Sequence, residues 1–147
     1  AGSASAVQAS SGRVLQVVNA STATGTSTTS GTYIATTLSL SITPSSATSK
    51  ILVFGQIFTV CSTGGTQPCI TLFRGGSNLI SQLCGFGNFY STASGYTETV
   101  LPFSFLDSPA STSALTYAIY GMNNGGGTAS FGNSARISII TAQEIAA

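Results

Sequence analysis

Three carboxylates (Glu98, Asp107, Glu144), three cysteines (Cys61, Cys69, Cys84) and four cations (Arg13, Lys50, Arg74, Arg136) are nearly all the reactive material in this 147-residue chain, which has no histidine. Without histidine, neither Ser-His-Asp nor Cys-His nucleophilic catalysis can be assembled within the chain. A glycosidase pair needs two carboxyls about 5–10 Å apart across a cleft. Glu98 and Asp107 instead bracket one expected strand and lie about 30 Å apart along it. Asp107, followed by Ser108 and Pro109, reads as the first residue of a turn.

Seven residues separate Cys61 from Cys69 and fourteen separate Cys69 from Cys84. That spacing lacks the close cysteine pair of a zinc ribbon, so no metal site is expected. Cys61 and Cys69 flank one loop, and a disulfide between them would stabilise by about 2–3 kcal/mol. The alternative is buried thiols, which an odd cysteine count and assembly in a reducing cytosol would favour. Gly75 and Gly76 follow Arg74 as turn residues, and no Gly-Lys-Ser/Thr phosphate signature occurs. The four cations are dispersed and form no basic stripe for nucleic acid. Neither a cofactor nor a nucleic-acid partner is expected.

One loop, Gly85 to Tyr96, invites a binding reading, because Phe86, Phe89, Tyr90 and Tyr96 are interleaved with Gly, Ser, Thr and Asn. Exposed rings beside amides and hydroxyls stack on sugars. Alternatively, the same rings fill the end of a sandwich or an intersubunit interface, for which aromatics are suited by their large buried area. Arg74 either pairs with Glu98 or Asp107 at a subunit contact or sits in water at a hairpin end.

The elements that must hold these residues read as β-strands. Arg13–Asn19 is a short β-branched run, followed by a low-complexity loop over Ala20–Gly31. Leu38, Leu40 and Ile42 alternate with Ser39, Ser41 and Thr43, a period of two that puts the aliphatics on one face. After a turn at Pro44–Ser49, Lys50–Val60 is the most apolar stretch and reads as a central strand buried on both faces. Cys69–Arg74 and Asn78–Cys84 form a hairpin about Gly75-Gly76-Ser77. Tyr96–Leu106 contains Pro102, which has no N–H and so marks an edge or a bulge. Ala114–Gly121, Thr128–Phe131 and Arg136–Thr141 complete a set of seven or more strands, the pattern of an all-β sandwich or barrel.

Only 5% of the residues are charged, against about 25% in an average soluble domain. Ser and Thr, roughly 30% of the chain, must therefore wet its surface, and they favour strands and turns over helices. A formal charge of +1 and a mean hydropathy of +0.38 leave little repulsion between copies, which suits a subunit built for assembly. No apolar run approaches the about 20 residues of a spanning helix. A small membrane β-barrel lacks its paired aromatic girdles here, so no membrane insertion is expected. Residues 1–12, small and polar, read as a flexible N-terminal arm without a secretory signal, and residues 13–147 as one domain.

Three segments together resemble a domain of tailed-bacteriophage fibre, appendage and virion-surface structural proteins. They are Arg13-Val-Leu-Gln-Val-Val18, Leu40-Ser-Ile-Thr-Pro-Ser-Ser46 running into Ser49-Lys-Ile-Leu-Val53, and Phe105-Leu-Asp-Ser-Pro109 followed by Leu115-Thr-Tyr117. The resemblance implies an antiparallel jelly-roll-like β-sandwich that trimerises, is displayed on the virion surface and carries no catalytic residues. A short arm in place of a stalk fits a decoration or cement protein on the capsid or tail. A separately encoded fibre tip binding a host glycan or receptor is the alternative.

Overall fold

A computed structural model describes residues 11–92, 95–133 and 135–147. Their strands are β1 (Val14–Thr22), β2 (Thr26–Thr28), β3 (Ile34–Ile42), β4 (Lys50–Cys61), β5 (Pro68–Arg74), β6 (Ser77–Asn78), β7 (Gly87–Asn88), β8 (Thr97–Asp107), β9 (Leu115–Asn123), β10 (Ala129–Phe131) and β11 (Ser138–Ile145). No helix is assigned among the described residues.

All strand pairs are antiparallel and form two sheets. Sheet I runs β1-β11-β4, after which β4 pairs along its whole length with β8 and, at its C-terminal end, with β10, which pairs in turn with β2. Sheet II runs β3-β9-β5-β6, with β7 also on β5. Setting aside β2 and β10 and taking β6 with β7 as one position, the order is first-last-third-sixth in sheet I and second-seventh-fourth-fifth in sheet II. That is the jelly-roll order, so the expected all-β, jelly-roll-like sandwich is the observed fold.

The alternation read in β3 is borne out: Leu38, Leu40 and Ile42 are buried while Ser39 and Ser41 are exposed. With Val53, Ile57, Ile70, Leu72, Phe103, Tyr117, Ile119 and Ile140 they form one core between the sheets. Pro102 lies in β8, which pairs only with β4 and is an edge strand, the position a residue without an N–H tolerates. Gly55 keeps β4 against its neighbours, because a Cβ there would come 2.1 Å from the Ile139 carbonyl and 2.9 Å from the Phe103 ring.

Several expectations need correcting. Only Ile57–Cys61 of the central strand is buried throughout; from Lys50 to Gln56 the outward residues keep some exposure. Asn78–Cys84 does not pair back as a strand beyond Asn78. There the Asn78 side chain accepts from the Ile80 N–H and the Thr71 hydroxyl, and this turns the chain out of the ladder. The low-complexity stretch after Asn19 is not all loop, since β1 continues to Thr22 and Thr26–Thr28 forms β2. Most of the expected arm, residues 1–10, lies outside the described residues. The Gly12 N–H donates to the Ala146 carbonyl at 2.8 Å, tying the start of the domain to its end.

Candidate functional site

Asp107 and Glu144 share a rung of sheet I, one on each side of the buried Ile51, while Glu98 lies at the far end of β8. Asp107 is not a turn residue but the last residue of β8, buried, and accepts hydrogen bonds at 2.6 Å from both Arg74 of β5 and the Tyr117 hydroxyl of β9. The Arg74 pairing foreseen at a subunit contact is thus made inside the chain, between the two sheets. Burial, and next the Asp107 carboxylate, push the Tyr117 phenol far above its ordinary range, so it stays a neutral donor. Glu98, at the other end of β8, pairs with Arg136, whose guanidinium lies 4.4 Å from the centroid of the Phe58 ring. This is a cation–π contact at the sheet surface.

Glu144 is fully buried and makes no ion pair among the described residues. Its carboxylate accepts from the Gln16 amide at 2.6 Å and from the Ser45 N–H and hydroxyl, each at 2.7 Å. Burial alone would raise its pKa, but the Gln16 amide, then the nearby Ser49 hydroxyl, then the Ser45 hydroxyl and N–H bring it down to about 2. The Ser49 hydroxyl itself reaches no hydrogen bond of normal geometry. All three carboxylates are therefore held by structural partners.

The four aromatic candidates of the Gly85–Tyr96 loop divide. Phe86 and Phe89 turn inward against the core, with the Phe86 ring 5.8 Å from that of Phe103. Tyr90 and Tyr96 face outward, at 59% and 76% exposure. The four do not form one platform. Tyr96 instead joins a shallow cleft of about 420 Å³ with Ala23, Thr24, Gly25, Ser27, Val60, Ser130, Gly132 and Asn133.

Strand register builds the floor of that cleft: Ser27 of β2 pairs with Ser130 of β10, which pairs with Val60 of β4. The two serine hydroxyls are 2.7 Å apart. At its rim the backbones of Gly25 and Gly132 approach so closely that a Cβ on Gly25 would come 2.7 Å from the Gly132 carbonyl, and Gly132 has φ +76°. Asn133 is oriented by accepting from the N–H groups of Ala135 and Arg136. Hydroxyls, one amide and one exposed phenol ring can hydrogen-bond and stack on a neutral polyhydroxylated ligand. They supply neither a nucleophile with a base nor a set of metal ligands. Apart from Tyr96, the sequence does not reveal this cleft, because Ser27 and Ser130 lie in strands of three residues, the rim residues lie in loops, and Val60 meets them only through strand register.

Of the two readings weighed for the cysteines, the Cys61–Cys69 bridge does not form: Cys69 is bonded to Cys84, and Cys61 is a free, buried thiol. The reason is side-chain parity. Cys61 is on sheet I in phase with the inward Ile57, while Cys69 is out of phase with the inward Ile70 and Leu72 of sheet II. Cys69 therefore points outward, toward the segment bearing Cys84 that crosses over β5.

No model of a known protein family matches the chain, and no curated protein sequence does. Its fold is similar to solved structures of low identity. One is the structure of the Gt strain of infectious bursal disease virus, 18% identical, with 93% of this chain and 39% of that chain covered and a TM-score of 0.50. A mutant VP2 protein of the same virus, in derived T=1 particles, gives 18% identity, 93% and 37% coverage, and a TM-score of 0.50. Dimeric latent PorU from Porphyromonas gingivalis gives 15% identity, 99% and 14% coverage, and a TM-score of 0.51. The chain spans well under half the length of each of these three chains. Because the likeness takes in a bacterial protein as well as viral particles, it establishes the sandwich fold and not a role.

Proposed function

We propose that this chain is a non-enzymatic structural protein of a bacteriophage virion, a knob of the decoration or cement type that assembles as a homotrimer and is displayed on the capsid or tail. The observation that carries this reading is the jelly-roll order of this chain, together with the likeness of its fold over 93% of its length to a structure of infectious bursal disease virus. Three further features support it. The carboxylates are committed to structural partners, so no acid–base pair is left for catalysis. The 5% charge leaves copies free to pack without repulsion. The segments that resemble phage appendage proteins fall on β1, on the turn between β3 and β4, and on the end of β8 leading into β9. Partners are then further copies and the major capsid or tail proteins.

Immunogold labelling or cryo-EM of particles from the source tests this. Label in a regular array over the head, or along the tail, supports decoration. Absence of the chain from every particle overturns the reading.

A second reading is favoured by one observation, the 76% exposure of Tyr96 over a hydroxyl-lined cleft. In it the chain is the receptor- or glycan-binding head of a fibre, and the label is confined to fibre ends. Glycan-array binding that is lost in Tyr96→Ala while the fold is retained supports it; no binding by the wild type overturns it.

A further inference from the structure

The two outward faces of the sandwich differ. Among the described residues, ten large apolar side chains are exposed: Val14, Leu15, Val17, Val100, Leu106, Ile137 and Ile139 on or beside the strands of sheet I, and Leu83, Tyr90 and Tyr96 in loops. None stands on a strand of sheet II. There Ser39 and Ser41 face water, and Tyr33, Phe73 and Tyr120 pack on one another beneath the segment that carries Leu83. Exposed aliphatics are thus confined to sheet I, where they alternate with neutral polar side chains, and a one-sided apolar patch marks a contact surface.

Register places the sheet I residues in continuous rows. Val17, Gln143, Leu52 and Leu106 stand side by side across β1, β11, β4 and β8. Two rungs along come Asn19, Thr141, Phe54 and Ser104, then Ser21, Ile139, Gln56 and Pro102, with Val100 beside Phe58 beyond them. Within these rows every polar group is neutral. The charges lie at the two ends: Lys50 in β4 and Arg13 just before β1 at one, and the Arg136–Glu98 pair at the other.

We infer that the outward face of sheet I is covered by a second copy of this chain, and is the contact that holds the homo-oligomer together. The partner's identity rests on the assembly reading above. Two features of the face support it. Its centre has no charge to repel a neutral surface of the neighbouring copy or to select a charged partner. Its size also suffices: four strands about 4.8 Å apart and about nine residues long, at about 3.3 Å each, give roughly 550 Å² in projection. Buried against an equal area of the neighbouring copy, and with side-chain relief added, it reaches the about 1,200 Å² at which stable interfaces begin. Pro102 in the middle of the β8 edge directs pairing away from that edge and onto the face, because an incoming strand finds no N–H there.

The test is the mass of the full chain in solution, by light scattering after size exclusion, for the wild type, Val17→Lys/Leu106→Lys and Ser41→Lys. The two residues of the double variant are 56% and 50% exposed, so the lysines do not disturb the core. The expected result is an oligomer for wild type and Ser41→Lys and a single chain for the double variant. Hydroxyl-radical footprinting of the wild type at high and low concentration supplies a readout that needs no variant: Val17, Val100 and Leu106 become protected as copies associate. A wild type that is monomeric at all concentrations overturns both the assembly reading and this interface. A wild-type oligomer that persists in the double variant, or that leaves those side chains unprotected, overturns the interface alone.

Discussion

Asp107 and Tyr117 stand on opposite sheets and meet in a 2.6 Å hydrogen bond, the phenol donating to the same carboxylate oxygen that Arg74 reaches from the neighbouring strand. One carboxylate at the end of β8 thus joins sheet I to two strands of sheet II. Tyr117→Phe removes one donor and leaves the ion pair, so it is expected to cost about 1–2 kcal/mol. Asp107→Asn leaves the part-buried guanidinium without its counter-charge and is expected to cost more, about 2–3 kcal/mol. Urea midpoints of the two variants check this. Midpoints equal to wild type for both would mean that the contact contributes nothing to holding the sheets together.

Glu144 makes stability depend on acid. Its ordinary value of 4.5 falls to about 2 in the folded chain, so the unfolded state binds the proton first as pH drops. The stabilisation is complete above about 4.5 and is lost as pH falls from there to about 2. In Glu144→Gln that slope should be reduced, because this side chain no longer takes up a proton. The variant should also lose about 2–3 kcal/mol at neutral pH, since an amide nitrogen then meets the donors of Gln16 or Ser45. Urea unfolding of both proteins in steps from pH 6 to pH 2 measures the difference, and parallel curves would refute it.

The cysteines predict a thiol count. Only one of the three is free, and burial raises its pKa and keeps it from reagent. The native, non-reduced chain should therefore react with a thiol reagent slowly or not at all, and the denatured, non-reduced chain should expose one thiol, from Cys61. Cys84→Ser opens a loop of about 15 residues and is expected to cost about 3 kcal/mol. Three thiols in the denatured chain would rule out the Cys69–Cys84 bridge.

That bridge also shows how far the sequence could be read. Period-two alternation made β3 legible, and the missing N–H of Pro102 narrowed its strand to an edge or a bulge, of which the edge is observed, because both are local properties of the chain. The cysteine pairing was legible in part. Cys69 alternates with Ile70 and Leu72 and so must point away from the core, but that Cys84 crosses there depends on a turn set by Asn78 and on contacts distant in sequence. The same limit applies to the cleft. Ser27, Ser130 and Val60 are more than thirty residues apart from one another and become neighbours only through the register of β2, β10 and β4. Of the loop aromatics, Phe86 and Phe89 turned inward and Tyr96 outward, a division that composition could not make.

The outward face of sheet I fixes how the assembly should respond to salt. Raising salt from about 0.01 M to about 1 M shortens the screening length from about 30 Å to about 3 Å, which weakens any association held by exposed charges. Here the ion pairs among the described residues, Arg74–Asp107 and Arg136–Glu98, are made within one chain, while the rows between Val17 and Leu106 and between Ile139 and Pro102 carry no charge. Burial of aliphatic surface is unaffected by screening and is strengthened by salts such as sulfate that are excluded from protein surfaces. Sedimentation velocity at a fixed protein concentration should therefore give the same oligomer across that range in sodium chloride, and at least as much of it in ammonium sulfate. Dissociation on raising sodium chloride would show that charges join the copies, which would place the contact at the ends of the face near Lys50 and Arg136 and not across its centre.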